Sequence, residues 1–357
     1  MLKASDAMDE TTINELNQLT PTLMRPIFNC ALMLDRIAAL QPVGRRALAA
    51  RLHMSEREVR TLADELRASG YLRIDAAGME LTEAAREPLK TAQALVRSLR
   101  ALSSLETKLT HLLGVRRVIV CAGNSDEDDS VLNEMGRAAA SKLRPMLCDG
   151  ATLAVTGGTT IAAVARNIPS GPPIDLQVLP ARGGLGRTVE TQAGTLAAEI
   201  ARRLGGHHRL MHLPDTLTPA AQREIVKLPE IREVMDMLSH TDVLMYGIGR
   251  ADDMARHRRM QPEELKLLKS RGAVAEAFGY YFDSDGQPVL AATSVGLDIA
   301  HVEQVRQVIA VAGGARKADA ILAVTRHHRH DLLVTDEGAA RQILHNIQLA
   351  SQHRSVL

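Results

Sequence analysis

The chain has 357 residues, with 43 Lys and Arg against 42 Asp and Glu, a formal net charge of +1 and 45% hydrophobic residues. That length exceeds one ordinary domain and predicts two or three cores, while the balanced charge excludes a general polyanion binder. Cys30, Cys121 and Cys148 show neither paired metal spacing nor disulfide density, residues 1–20 are polar and acidic rather than signal-like, and no apolar run is long enough to cross a bilayer. The expectation is a cytoplasmic protein with no metal site, no cofactor and no membrane contact.

The apolar periodicity of Pro26 to Leu40 predicts a helix. Gly44 to Leu52 predicts a second, short one with Leu48 and Leu52 on one face, and His53 and Met54 supply a turn. Ser55 then opens a third helix, where Glu58 completes a Ser-x-x-Glu capping box that satisfies otherwise orphaned amides. Val59, Leu62 and Leu66 are spaced to face a core. Arg57, Arg60, Thr61 and Arg67 fall on the other side, where they can reach base edges and phosphates in a major groove. With Arg45, Arg46 and Ser55 they form the candidate DNA contacts. Gly70 stops the helix, and Tyr71–Ile74 and Met79–Leu81 alternate around Asp75-Ala-Ala-Gly78 as a hairpin does. Short helical hairpins with a glycine stop also occur in unrelated proteins. The added wing, and eight arginines against four acids between Arg36 and Arg73, favour a winged helix-turn-helix on double-stranded DNA.

Thr82 to Leu113 contains no glycine and predicts one long linker helix, with Leu95, Leu99, Leu102, Leu105, Leu109 and Leu112 forming a seam. The seam suits either a coiled-coil dimer contact or the face by which a linker lies on its own domain. From Val115 the pattern becomes short β-branched runs between helical stretches: Arg117–Cys121, Thr152–Thr156, Leu176–Leu179, Arg209–Leu213, Asp242–Tyr246, Val289–Ala292, Val308–Val311 and Leu332–Val334. Such alternation predicts a doubly wound α/β domain with a mostly parallel sheet, whose ligands bind beyond the carboxyl ends of the strands at a topological switch point. The expected organisation is residues 1–82 for DNA binding, 83–114 for the linker and 115–357 for effector binding and oligomerisation.

Three of these strands run into glycine corners. The first reads Gly157-Gly158-Thr159-Thr160, which brings backbone close to a ligand and aims helix N-terminal amides at it. The second reads Arg182-Gly183-Gly184 and the third Gly313-Gly314-Ala315-Arg316-Lys317. Any one could be a tight turn with a capping Thr or a solvated charge. Together they predict a polar pocket for a ligand with more than one phosphate, since each phosphate needs its own amides and cation. Gly247-Ile-Gly249 lacks the third glycine of a dinucleotide fingerprint, which excludes a nucleotide cofactor. In the basic run that follows, Arg256 and Arg258 are candidates for a phosphate contact, with a solvated charge run as the alternative. Glu276 is placed to bond sugar hydroxyls, and as a general base it lacks a visible partner. The histidines of Arg326–His330, like His207 and His208, read as surface positions rather than metal ligands.

Several runs carry a wider likeness: Pro42-Val-Gly-Arg-Arg-Ala-Leu-Ala, Thr156-Gly-Gly-Thr-Thr160, Pro180-Ala-Arg-Gly-Gly-Leu-Gly186, Glu276-Ala-Phe-Gly-Tyr-Tyr-Phe282, Ala310-Val-Ala-Gly-Gly314 and Val334-Thr-Asp-Glu-Gly-Ala-Ala340. Over nearly its whole length the chain resembles the SorC family of sugar-responsive transcriptional repressors, also placed near DeoR. The resemblance implies a winged helix-turn-helix joined to a sugar-phosphate-binding domain related to phosphosugar isomerases and deaminases. It further implies a homo-oligomer, dimer or tetramer, that represses glycolytic genes of the triose-phosphate segment from operator DNA and is relieved by fructose 1,6-bisphosphate or a related phosphosugar. Carried over by motif, Thr159 and Thr160 hold one phosphate, and Arg182, Gln192, Glu276 and Lys317 line the sugar and the second phosphate. Gly158, Gly183 and Gly314 bring backbone to the same ligand. The broad family has Gly-Asp where this chain has Ala275-Glu276, which fits the glycolytic subgroup, and Gly194 stands where an Asn is expected. The competing reading is a phosphosugar isomerase or deaminase with an accessory DNA-binding domain. Such enzymes carry Gly-x-Gly-x-Asp-Gly-His after the equivalent strand; here Gly247-Ile-Gly-Arg-Ala-Asp-Asp253 lacks the histidine, so no catalytic residue is assigned.

Overall fold

The computed structural model describes residues 19–52, 54–184, 188–211, 213, 217–291, 294–326 and 329–354. The expected turn residue His53, the end of the Pro180–Gly186 motif, the strand end Ala292, and His327 and His328 lie outside the described residues. The chain divides into two compact units, one up to Leu105 and one from Glu106 onward.

In the first unit, helix α1 (Pro21–Leu40) buries Met33 and Ile37 completely. Helix α2 (Arg45–Leu52) buries Leu48, Ala49 and Leu52, and α3 (Glu56–Ala68) buries Val59, Ala63 and Leu66 while Leu62 stays half-buried. The capping box is formed: Glu58 N–H donates to Ser55 Oγ (3.2 Å) and Ser55 N–H to Glu58 Oε2 (2.9 Å). Strands β1 (Leu72–Ile74) and β2 (Met79–Leu81) pair antiparallel with Leu72 opposite Leu81, and their turn is closed by Ala77 N–H donating to Asp75 Oδ1 at 2.9 Å. Val43 bridges to Met79, which ties the wing to the start of α2.

The single helix expected over Thr82 to Leu113 is instead two, α4 (Arg86–Leu99) and α5 (Leu102–Leu113). Arg100 N–H turns back to Val96 O, and Ala101 takes φ 52°, a left-handed conformation that ends the helical path. With an alanine rather than a glycine there, the residue type gives no sign of the break. Leu102, Leu105 and Leu109 are already buried in the single chain, whereas Leu112 is 48% exposed.

The second unit is built on seven parallel strands in the order β6-β5-β4-β7-β11-β12-β3. These are β3 (Val118–Cys121), β4 (Thr152–Val155), β5 (Gln177–Pro180), β6 (His207–His208), β7 (Val243–Arg250), β11 (Gln307–Val311) and β12 (Leu332–Asp336). The strand expected over Arg209–Leu213 sits two residues earlier, as the short, exposed edge strand β6. Helices α6 (Asp129–Leu143), α7 (Thr159–Arg166) and α8 (Ala193–Leu204) pack with the sheet through one apolar cluster. In it Leu153, Val155, Val243, Met245, Ile309, Val311, Leu332 and Val334 are all completely buried. Each such side chain contributes about 1.5–3 kcal/mol on removal from water.

A feature absent from the expectation is an antiparallel extension. The first half of β7 pairs with β4 and β11, and its last three residues, Ile248–Arg250, pair instead with β8 (Ala273–Ala277). Beyond β8 follow β9 (Tyr280–Asp283) and β10 (Pro288–Ala291). Helices α9 (Pro219–Ile225) and α10 (Pro229–Ser239) precede β7. Helices α11 (Ala251–His257) and α12 (Pro262–Ser270) connect it to β8. A short helix α13 (Ile299–Val302) leads into β11, α14 (Ala318–Thr325) joins β11 to β12, and α15 (Glu337–Arg354) ends the unit.

Candidate ligand cleft and nucleic-acid interface

The chain winds outward from β4 to β5 and β6 on one side and from β7 to β11 and β12 on the other, so the strand order reverses between β4 and β7. At the carboxyl ends of those two strands, as expected of a switch point, opens a cleft of about 430 Å³. Gly158, Thr159 and Thr160 follow β4 into it, and Arg182 and Gly183 follow β5. Gln192, Arg258, Glu276 and Lys317 complete the set of candidate residues that the fold brings together.

The wall after β4 is the N-terminus of α7. Gly158 is its N-cap, at φ +112° and with no side-chain cap, so the first-turn amides lack partners in their own helix and the helix dipole favours an anion there. A Cβ at Gly157 would lie 2.6 Å from Thr191 O, while one at Gly158 would meet nothing within 4 Å. The first glycine therefore permits the close packing of the corner, and the second supplies its backbone conformation and leaves the approach open.

The cations differ in what they already hold. Arg182 Nε donates to Ser294 Oγ (2.9 Å), Nη2 to Ser294 O (2.5 Å) and Nη1 to Phe278 O (3.3 Å), with the guanidinium 5.6 Å from the centre of the Tyr280 ring. Burial pushes its pKa down. Arg258 Nη2 lies 2.8 Å from Glu276 Oε1, which also accepts the Gly279 N–H at 2.9 Å. Burial works against the Arg258 charge, yet the neighbouring Glu276 outweighs it and its pKa is raised. Lys317 has no hydrogen-bond or ion-pair partner for its ammonium among the described residues, and burial lowers its pKa against the pull of Asp126, Asp336 and Asp253. The cleft lining thus offers the amides of a helix N-terminus, a carboxylate locked to a guanidinium, and an ammonium with no partner among the described residues.

Two candidates stand apart. Arg256 is exposed on α11, paired with Asp253 and, at 3.6 Å, with Asp252. Gly314 lies behind the cleft, its N–H donating to Asp336 Oδ2 at 2.7 Å. The sequence reading missed Asp253, His257, Phe278 and Ser294, which also line the cleft. Asp253 carries a signal in hindsight, since an acid one turn before a basic run is placed to organise it; here it meets Arg250 (3.7 Å) and Arg316 (3.5 Å). The surface reading of Arg326–His330 fails at its last residue. His330 is buried and bonded through Nε2 to the phenol of Tyr246, itself completely buried, so this histidine serves the core. No group of three or more metal-ligating side chains occurs among the described residues, and no helix of theirs is long and apolar enough to cross a membrane.

In the first unit Arg45, Arg57, Arg60, Thr61 and Arg67 are all exposed. Thr61 Oγ1 donates to Arg57 O (3.1 Å) and Arg67 pairs with Asp64 (3.2 Å). Arg46 approaches Glu56 at 3.4 Å with both side chains largely in water, a contact worth little. The Ser55 hydroxyl is committed to the cap, donating to Glu58 Oε2 at 2.7 Å. Arg57 and Arg60 form no ion pair among the described residues, and the helix that carries them is capped and anchored by its buried face.

Comparison with known proteins matches residues 31–96 to the CggR N-terminal DNA binding domain and residues 97–345 to the Sugar-bind family of sugar-binding domains. The chain belongs to the Sugar-bind family of SorC-type transcriptional regulators. This SorC-type chain is 38% identical over 333 residues to the central glycolytic genes regulator of Bacillus subtilis (strain 168), spanning 93% of this chain and 98% of that protein. The regulator of the same name from Priestia megaterium is 37% identical, over 92% of this chain and 96% of that one. A crystal structure of a SorC family transcriptional regulator from Enterococcus faecalis superimposes with a TM-score of 0.63 at 38% identity, covering 68% of this chain and 99% of its own. The full-length sorbitol operon regulator SorC from Klebsiella pneumoniae, at 20% identity and a TM-score of 0.64 over 87% of this chain and 97% of its own, shows the shared fold. As a SorC-type protein the chain is a transcriptional regulator with a DNA-binding and a sugar-binding domain, not an enzyme of the isomerase or deaminase type.

Proposed function

We propose that this regulator represses glycolytic genes from double-stranded operator DNA and releases it when a phosphorylated sugar, best of all fructose 1,6-bisphosphate, enters the cleft beside β4 and β7. The observation that carries the reading is that two anion-seeking groups line one cavity: the first-turn amides of α7, which lack partners in their own helix, and the Lys317 ammonium, which has no partner among the described residues. In the same lining Glu276 and Gln192 offer acceptors and donors for sugar hydroxyls, and Arg182 adds a positive charge beside the Arg258–Glu276 pair. A ligand with a phosphate at each end of a polyhydroxyl chain answers this arrangement. The names of the two regulators from Bacillus subtilis and Priestia megaterium point to the same class of genes.

Arg57 and Arg60, with Arg45, Arg46, Ser55, Thr61 and Arg67 around them, are the groups offered to the operator, and a homo-oligomer pairs two such heads on a two-fold site. Bisphosphate capture shifts the balance between effector-domain arrangements, and a coupling of about 1–3 kcal/mol per site is enough for a graded switch. The test is a thermal-shift panel of phosphorylated sugars, followed by operator release under the best stabiliser. Fructose 1,6-bisphosphate should raise the melting temperature most, by mass action on the folded state. Operator release by Thr160→Val/Lys317→Ala at the wild-type effector concentration contradicts the site.

A further inference from the structure

Behind Lys317 lies a cradle that no motif announced. Asp336, the last residue of β12, is completely buried and has no cation within ion-pair distance among the described residues. Its carboxylate is met by neutral donors instead. Oδ2 accepts from Gly314 N–H (2.7 Å), Ser125 N–H (2.8 Å) and Ser125 Oγ (2.6 Å), and Oδ1 accepts from Ala339 N–H (2.8 Å). The next amides of the same turn are held by the same loop: Ala315 N–H by Asn124 Oδ1 (3.3 Å) and Arg316 N–H by Asp126 Oδ2 (2.9 Å). Lys317 N–H then closes back on Gly314 O at 2.9 Å. Every backbone amide from Gly314 to Lys317 is therefore committed.

The fit leaves no slack. Gly314 has φ +96°, and a Cβ there would lie 2.5 Å from Asp126 Oδ1; one on Gly313 would lie 2.6 Å from Asp336 Oδ2. A buried charge answered only by neutral donors costs more than an apolar anchor that could hold a turn equally well. Such an acid earns a place when its charge also acts on something nearby, and the cation at the end of the turn it braces is Lys317, whose charge Asp126 and, after it, Asp336 favour. We propose that Asp336 is a positioning residue for phosphosugar capture. It locks the Gly314–Lys317 turn so that Lys317 lines the cleft, and its buried negative charge helps hold that ammonium in place until a phosphate arrives. The inference rests on the phosphosugar reading of the cleft and names the residue by which the second phosphate site is held ready.

The test uses the full-length chain, Asp336→Asn, Lys317→Ala and the double variant, with two readouts. The first needs no ligand: acetylation of Lys317 by acetic anhydride, followed by mass spectrometry against Lys90 as an exposed internal reference. Asp336→Asn should change the Lys317 rate severalfold and leave Lys90 alone. The second is calorimetric binding of fructose 1,6-bisphosphate. Asp336→Asn should weaken it about tenfold, and should weaken Lys317→Ala no further, because both act through one ammonium. Labelling of Lys317 at the wild-type rate, or a full additional loss in the double variant, overturns the proposal and leaves Asp336 a structural residue. If Asp336→Asn does not fold, Asp126→Ala at the exposed end of the cradle carries the same two predictions. A native chain that binds no phosphosugar while Asp336→Asn still alters Lys317 labelling refutes the functional reading and sustains the positioning role.

Discussion

Glu276 Oε1 is shared between the guanidinium of Arg258, 2.8 Å away, and the backbone N–H of Gly279 at 2.9 Å, so one oxygen ties α11's exit to the β8–β9 turn. With Glu276 buried and Arg258 only partly exposed, Glu276→Ala leaves a guanidinium without its counter-charge and an amide without its acceptor. The expected cost is about 3 kcal/mol of unfolding free energy, the lower end for a buried pair because Arg258 keeps some solvent. Urea denaturation measures it; a loss under about 1 kcal/mol would show the pair to be solvent-screened.

Gly158→Ala should separate conformation from contact. At φ +112° a Cβ meets no atom but places the residue where L side chains rarely go, at a cost of about 1–3 kcal/mol. The methyl also projects where a phosphate would approach the α7 amides. Sugar-phosphate affinity should therefore fall by more than the loss of stability accounts for, as calorimetry beside thermal melts will read.

In the first unit, Ser55→Ala removes the acceptor of the Glu58 N–H and should cost about 1 kcal/mol of helix stability. The hydrogen bonds from Ser55 hold the Glu58 carboxyl below its usual value of 4.5. Because the folded pKa is the lower one, this contribution is present above that ordinary value and fades as pH falls through the folded pKa. The gap in melting temperature between variant and parent should narrow in acid as the Ser55 Oγ–Glu58 carboxylate bond is lost from the parent, while the part due to the Glu58 N–H to Ser55 Oγ bond remains; a gap of the same size at low pH would argue against the side-chain bond.

Arg60→Ala tests how the exposed face of α3 meets DNA. If Arg60 reads a base edge, binding should weaken by about 1–3 kcal/mol and base preference at one position should relax; if it touches phosphate, the slope of log K against log salt should shrink by about one. Fluorescence anisotropy over a salt series distinguishes the two, and no change in either quantity places α3 away from the duplex.

Burial lowers the Lys317 pKa from 10.5, with Asp126, Asp336 and Asp253 opposing. Phosphate binding requires the protonated ammonium. Affinity for the bisphosphate should hold near neutral pH and fall as pH rises through the lowered value, earlier than an exposed lysine would dictate. In Lys317→Arg, whose guanidinium does not titrate in this range, titration calorimetry should find that alkaline fall absent.

Much of this was legible in local signals. Ser55 and Glu58 announced their cap by spacing, and the corners after β4 and β5 were legible because glycine pairs beside hydroxyls and a cation recur at successive strand ends. The break at Ala101 was not legible, because nothing in an alanine marks a left-handed backbone. Strand β8 was hidden for a related reason: Ala273–Ala277 is written largely in helix-forming residues and becomes a strand where the end of β7 offers it an edge. Asp336 and Ser125 are 211 residues apart, and His330 and Tyr246 are 84 apart; such pairs exist only once the sheet has brought its strands together. Most elements and the glycine corners followed from neighbours in the chain, and the bracing of those corners from neighbours in space.

Strand β7 belongs to two pairing schemes at once. Its first residues lie among parallel partners, and its last three begin an antiparallel ribbon whose turn carries Phe278 and Gly279 over Arg182. The ribbon consequently cannot be treated as a removable insertion: cutting away residues 273–291 would strip Arg182 of the carbonyl of Phe278 and the ring of Tyr280 and leave Arg258 without Glu276. The ribbon is continuous through β7 with Gly247, which packs beside Thr160 of α7 and Val311 of the strand that leads to Lys317.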